Sequence, residues 1–319
     1  APFAQKLDLR GLARLPAGLR PDRFARVPDT TDCGVRIVVT LDADADRVDV
    51  TTEIDNRARD HRLRVKFETR TRTLTHHAGA AFALLERANR VPARPGWVEP
   101  PTEERCLHDV VAVKGPTAGL AVGVDGIRDY AVLRDGAAIA ITLLRSVGWL
   151  SRGDLRERRG HAGPALETPT AQCIGPQRFR YCVIPLPHDR SIAQAASIVR
   201  EFLSPPWVAT GDGAARTFMS MTTSPEDALV QLTALRAGPD GRLVVRLASL
   251  MSGDRAEVHI TMHQPIRSAS AVDLREGWGD PGNTGLDVIR TAAPLEIHDD
   301  GSATARLAPF EIGTWMIEV

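Results

Sequence analysis

RVDVTTEIDNRARDHRLRVKF, residues 47–67, is the stretch that decides the fold. Over Arg47–Ile54 the residues Val48, Val50, Thr52 and Ile54 fall on one face, and over Arg62–Phe67 Leu63, Val65 and Phe67 do the same. A period of two buries one face of a strand and wets the other, as in an antiparallel sheet. Between the runs, Asp55-Asn56-Arg57-Ala58-Arg59-Asp60 supplies turn chemistry, because Asn and Asp side chains bond nearby backbone and tolerate tight conformations. His61 stands just beyond the turn.

Working outward, Val35–Leu41 is a β-branched run on the N-terminal side, and short apolar runs recur on the other at 110–113, 120–124, 130–133 and 138–144. Gly-containing turns such as Asp125-Gly126 and Asp135-Gly136 separate them, a spacing that predicts a sandwich or barrel. Residues 1–30 hold four prolines and no sustained period, and read as a lead-in or linker. One helix is expected: Ile192, Ala195, Ala196, Val199, Phe202 and Leu203 recur at three- and four-residue intervals, Ser191 or Asp189 caps the start, and Pro205-Pro206 ends it. Further strand-like runs at 242–250, 256–263, 270–274, 303–307 and 314–319 follow a boundary expected near Pro206–Ala215, with a hairpin turn at Asp299-Asp300-Gly301. The expected architecture is all-β: a large antiparallel, supersandwich-like β-sandwich over 31–210, one short helix, and a smaller β-sandwich over 211–319.

Composition excludes several functions. Lys+Arg and Asp+Glu are both 40 in 319 residues, so no global field draws the chain to nucleic acid or an anionic membrane. Four cysteines without CxxC spacing argue against a zinc knuckle or a disulfide scaffold and fit a reducing cytoplasm. No apolar run is long enough to span a bilayer, and APFAQKLDLR lacks the build of a signal peptide. A start at Ala1 rather than Met suggests a piece of something longer.

Two segments stand out as candidate chemistry. Leu143–Pro169 begins as a buried strand and turns into a polar stretch with Arg152, Asp154, Arg156, Glu157, Arg158, Arg159 and His161, either a solvated excursion or a functional surface. Val91–Pro101 is a Pro-rich loop carrying Trp97 beside Glu99. Trp97 and Trp149 suit either core packing or stacking on the apolar face of a sugar. No HxxxH, GxSxG, P-loop or dinucleotide fingerprint occurs, and no metal site is expected in the chain. The acidic pairs Glu103-Glu104 and Asp299-Asp300, and the neighbours Asp60-His61 and His108-Asp109, read as solvated or structural before they read as catalytic.

Taken together, 55–65 (DNRARDHRLRV), Trp97-Val98-Glu99-Pro100, 143–154 (LLRSVGWLSRGD), Ala162-Gly163-Pro164 and 168–172 (TPTAQ) resemble, in that order, the C-terminal half of bacterial α-mannosidases of glycoside hydrolase family 38. The resemblance runs from about Val35 to Val319. It implies a retaining α-mannosidase whose zinc and nucleophilic aspartate sit in an N-terminal barrel-like domain. No region here reads as that barrel, so the resemblance implies no catalytic residue and no cofactor in this chain, with zinc in the missing domain. It implies a cleft or interface role for Arg152 and Asp154 first, then Gly153, Arg145, Trp149, Trp97, Glu99 and His61. The partners implied are the missing catalytic domain, mannosides and a second copy of the chain. The expected role is to complete and stabilise that enzyme and lend loop residues to its cleft, with a stand-alone carbohydrate-binding module as the alternative.

Overall fold

The structure, a computed structural model, describes residues 4–155, 157–207, 210, 217–238, 241–276 and 292–319. Arg156 and most of the expected boundary segment lie outside the described residues. The chain divides into two compact units, Ala1–Gly79 with Glu86–Pro205 and Ala80–Leu85 with Pro206–Val319.

The first unit opens with β1 (Gln5–Pro16), β2 (Thr30–Leu41), β3 (Val48–Asn56) and β4 (Arg62–Glu68). The chain continues through β5 (Thr75–Ala80), β6 (Ala83–Ala88, of which residues 83–85 belong to the second unit), β7 (Glu104–Cys106), β8 (Val110–Lys114), β9 (Ala118–Asp125), β10 (Asp129–Leu133) and β11 (Ala138–Arg145). A 3-10 turn, Pro169–Gln172, precedes β12 (Gly175–Pro187), and α1 (Ile192–Leu203) closes the unit. Eight strands form one sheet in the order β1-β2-β3-β12-β9-β8-β5-β6, and four form another in the order β4-β11-β10-β7. Every pairing involving β3 or β4 is antiparallel.

These two sheets share one core, which makes the unit a sandwich. Val50, Val111, Val122 and Tyr181 of the large sheet and Val132, Ile139 and Ile141 of the small one belong to a single buried cluster, with Leu63, Val65 and Phe67 packed against it. The alternation in residues 48–54 and 62–67 therefore points inward from opposite sheets. Thr52, the polar member of the inward set, is satisfied by the Tyr181 hydroxyl at 2.8 Å, which removes the penalty for burying it.

The segment expected as a lead-in is a correction. Gln5–Pro16 pairs residue for residue with Leu41–Thr30 as an edge strand. Pro16 ends the strand, while Pro21 and Pro28 fall in the connection to β2, so these prolines do not interrupt the ladder.

On the outer face of the large sheet α1 packs against β8, β9 and β12. Its start has a capping box in which the Ser191 side chain accepts from the Gln194 N–H at 3.0 Å and the Gln194 side chain accepts from the Ser191 N–H at 2.7 Å. Ala195, Ala196, Val199 and Phe202 are buried against the sheet. The close approach needs Gly123, where a Cβ would come within 2.6 Å of Val199 Cγ2 and 2.7 Å of Cys182 Sγ.

The second unit is a smaller sandwich of two four-stranded sheets. Its strands are β13 (Met219–Ser224), β14 (Val230–Ala237), β15 (Leu243–Ser249), β16 (Ala256–Met262), β17 (Ser268–Val272), β18 (Glu296–Ile297), β19 (Ala303–Leu307) and β20 (Ile312–Glu318). They pair as β13-β16-β19-β18 and β14-β15-β20-β17. Val245, Leu247, Ile260, Leu307 and Trp315 share its core, and the Trp315 indole N–H finds the Ala293 carbonyl at 2.9 Å. Among the described residues no helix is long and apolar enough to cross a membrane.

Candidate functional site

The site is built at the turn after β3. Asn56 is fully buried, and its amide nitrogen donates to the carbonyls of Gln172 at 3.1 Å and Cys173 at 3.0 Å, while its oxygen accepts the Ala58 N–H at 3.2 Å. Ser146 at the end of β11 donates to the same Gln172 carbonyl at 2.8 Å. The Gln172 side chain clasps Asp60 twice: its oxygen accepts the Asp60 N–H at 2.8 Å and its nitrogen donates to Oδ1 at 2.7 Å. Asp60 has φ +53, a left-handed conformation that Asp tolerates better than most residues. Gly148 lies over this clasp, where a Cβ would stand 2.9 Å from Gln172 Nε2 and 3.0 Å from Asp60 Oδ1.

This clasp decides what becomes of the polar excursion between β11 and β12. The excursion folds back on itself: Val147 N–H donates to Ala171 O at 3.1 Å, Thr168 N–H to Gly148 O at 2.9 Å and Leu150 N–H to Leu166 O at 2.9 Å. The hydroxyl of buried Ser151 accepts the N–H groups of Ala162 at 3.1 Å and Gly163 at 3.2 Å, drawing the far limb inward. A bulge between Thr142 and Leu144 shifts the β11 register so that Arg145 stands opposite Arg62. Bulges of this kind re-aim side chains at the end of a strand.

The result is a cleft of about 620 Å³ lined by residues 60–62, 145–152 and 162–164, together with Leu19, Leu155 and Arg158. Of the residues singled out in the sequence, His61, Arg145, Trp149 and Arg152 line it. Asp154 joins through a two-pronged bond, accepting from Arg152 Nε and Nη2 at 2.9 Å each. That guanidinium holds the Asp154 carboxyl down to about 2, and the pair raises Arg152 in turn. Gly153 lets the His161 ring lie against the backbone, since a Cβ there would meet His161 Nε2 at 2.8 Å. Glu99 reaches the cleft indirectly, accepting from Arg158 Nε at 3.2 Å. Trp97 does not line the cleft; it stands half-exposed in its proline-rich loop. Trp149 is partly buried in the cleft wall with the Arg23 guanidinium 5.4 Å from its ring centre, a cation–π contact that also brings Arg23 Nε to 3.3 Å from Asp154.

Both ring nitrogens of His61 are buried, and burial, with the Arg26 charge adding, pushes its pKa below the ordinary histidine value despite the opposing influence of the Arg59 backbone. Asp60, its sequence neighbour, gives Oδ1 to Gln172, so the two are not joined as an acid–base pair. Glu104 pairs with Arg62 and Arg64, Asp109 Oδ2 lies 3.9 Å from Arg200, and Asp300 accepts from the Ser302 N–H and hydroxyl at 2.9 and 2.6 Å. Among the described residues no group of three or more His, Cys, Asp or Glu is placed to hold a metal ion.

Sequence reasoning missed Gln172 as the keystone, Arg158 as a wall residue and the contribution of Leu19 and Arg23. The first two lie inside the strings already singled out, but only the fold shows which of their polar atoms converge. The last two come from the stretch read as a linker.

Fold and cleft together define an antiparallel β-sandwich protein with a basic cleft at the end of one sandwich. Residues 25–154 match the model described as "Glycosyl hydrolases family 38 C-terminal domain". A curated relative, the "Putative mannosylglycerate hydrolase" of Halalkalibacterium halodurans, is 32% identical over 186 residues, which are 58% of this chain and 19% of the relative. Two solved structures share the fold over all of this chain: an α-mannosidase from Enterococcus faecalis V583, with TM-score 0.74 and 24% identity, and a protein in glycosyl hydrolase family 38 from Enterococcus faecalis, with TM-score 0.72 and 22% identity. This chain covers 34% and 35% of their lengths.

Proposed function

We propose that this chain is the C-terminal β portion of a family 38 α-mannosidase, which stabilises the catalytic domain and lends its cleft to the hydrolysis of α-mannosides. The observation that carries the reading is that the cleft-forming residues 60–62 and 145–152 lie inside the segment matched to the family's C-terminal domain. The chemistry supports it: the Arg152–Asp154 bonds use Nε and Nη2 and leave Nη1 to hold a sugar hydroxyl or a carboxylate of the catalytic domain in fixed orientation. Arg145, Trp149 and His61 share the wall; Gly153 admits His161, and Glu99 steadies Arg158. Trp97 lies outside the lining of this cleft. The four cysteines are free thiols, which suits a cytoplasmic setting.

Two preparations test the reading: this chain alone and the complete polypeptide that contains it, each assayed for nitrophenol release from an aryl α-mannoside. The complete polypeptide should hydrolyse the substrate and the chain alone should not. Hydrolysis by the chain alone, or none by the complete polypeptide, refutes the proposal. Heat on titrating mannose into the isolated chain would instead favour a stand-alone binding module.

A further inference from the structure

β1 is an outer strand of the eight-stranded sheet, and among the described residues no strand pairs with its far edge. Its 12 residues exceed the usual strand length of about five or six, and from Gln5 to Leu15 they include no proline, no bulge and no residue with positive φ. Which main-chain groups face outward follows from the ladder. Ala17 N–H donates to Asp29 O at 2.8 Å, in line with the register that sets Gln5 opposite Leu41. Hydrogen-bonded pairs alternate along an antiparallel ladder, so the odd-numbered residues of β1 turn their N–H and C=O groups to β2. Those of Lys6, Asp8, Arg10, Leu12 and Arg14 form an open row, and such a row is a template for another strand.

The side chains along this edge complement themselves. Two copies of β1 laid antiparallel about Leu9 set Asp8 opposite Arg10 of the second copy, twice by symmetry, and Leu9 opposite its own counterpart. Leu7 then falls opposite Gly11, where nothing lies within 4 Å of the place a Cβ would take. Leu7 and Leu9, 54% and 49% exposed, stand on the core side of the sheet with Ala13 and Leu15, beside a groove of about 350 Å³ bordered by Leu9, Gly11, Ala13, Val35 and Ile37. The pairing covers both leucines. Other registers fit worse: centring on Asp8 or Arg10 opposes like charges, and centring on Leu7 leaves only residues 5–9 paired. Centring on Gly11 brings in Pro16, which has no N–H and whose carbonyl already accepts from Arg26 at 2.7 Å.

We propose that β1 joins a second copy of this chain edge to edge, antiparallel about Leu9, so that two sandwiches share one continuous sheet. From Lys6 to Leu12 the two strands exchange about eight main-chain hydrogen bonds. The interface does not depend on the mannosidase reading.

Sedimentation equilibrium tests it. This chain should give twice the monomer mass. Arg10→Pro removes an outward N–H without touching the ladder to β2, so it should weaken the dimer about tenfold or more while circular dichroism stays that of the parent. Asp8→Arg and Arg10→Asp each set like charges across the axis and should be monomeric alone. An equimolar mixture of the two should regain the dimer, because positions 8 and 10 of one chain then face opposite charges on the other, an outcome specific to this register. Arg178→Gln, at an exposed arginine on β12, should leave the dimer unchanged. The complete polypeptide should dimerise as this chain does. A monomeric chain, a dimer untouched by Arg10→Pro, a mixture that stays monomeric, or a complete polypeptide whose remainder covers β1 and keeps it monomeric would each overturn the proposal.

Discussion

Replacing Asn56 by Ala tests whether the buried amide is the fastening of the cleft. The substitution leaves the Ala58 N–H without an acceptor, at a position that is fully buried. Cys173 O retains only a long bond from Gln177 Nε2 at 3.4 Å, while Gln172 O keeps the Ser146 hydroxyl at 2.8 Å. One orphaned donor and one nearly orphaned acceptor, at about 1–3 kcal/mol each, give an expected loss of about 3 kcal/mol. Urea unfolding followed by circular dichroism should show the midpoint of the affected transition falling by about 1 M, for a slope near the upper end of the usual range of about 1–3 kcal/mol/M. Asn56→Asp should cost at least as much, because it keeps the acceptor for Ala58 but sets a carboxylate oxygen against two carbonyl oxygens. Hydrogen exchange at Val147 and Leu150 should accelerate in both variants, since their bonds close the excursion that Asn56 anchors. Glu103→Ala, at an exposed position, should stay within about 0.5 kcal/mol of the parent. An Asn56→Ala protein as stable as Glu103→Ala, or a tolerated Asp, would refute the reasoning.

Three further outcomes follow from other parts of the fold. Gly123→Ala drives a methyl against Val199 and Cys182 and should cost about 1–3 kcal/mol, read as a lowered Tm; an unchanged Tm would mean that α1 does not sit this close. In native protein an aromatic disulfide reagent should modify exposed Cys106 first and spare Cys33 and Cys182 until denaturant is added, the Cys182 thiol being pushed up to about 12 by burial; early loss of Cys182 would contradict this. His76 is buried between Asn89 and Tyr130 at 2.7 Å each, and because the Asn89 amide nitrogen donates to Thr73 O, its Oδ1 accepts from His76 Nδ1–H and Nε2 accepts from Tyr130. Burial lowers its pKa to about 4, so the unfolded chain takes up the proton first as pH falls below about 6.5, and stability should drop by up to about 3 kcal/mol between there and pH 4; a His76→Gln variant with the same acid limb would remove this cause.

Alternation in residues 48–54 and 62–67 was enough to expect the sandwich, because a strand buried on one face leaves its period in the sequence whatever it pairs with. The helix was equally plain, its caps and its apolar stripe both local. β1 was not, since Leu7 and Leu9 alternate with charges yet remain half-exposed, and an edge strand with a weakly buried face differs little from an extended linker. The cleft was half legible. Arg152, Asp154 and His61 drew notice through composition and resemblance, but the clasp of Asp60 by Gln172 joins residues 112 positions apart and leaves no local pattern. Trp97 stands apart: a stiff proline-rich setting suggested a stacking platform, and the residue does not line this cleft.

The central claim is that the cleft of this chain serves catalysis in a larger family 38 enzyme. Its most direct measurement is kcat/KM for an α-mannoside in the complete polypeptide carrying Arg152→Ala, with Tm followed in parallel. The account predicts a fall of about a hundredfold or more with little change in Tm, because the guanidinium orients groups at the reacting sugar. Kinetics within about twofold of the parent would contradict it and leave Arg152 as a packing residue that holds Asp154 and nothing else.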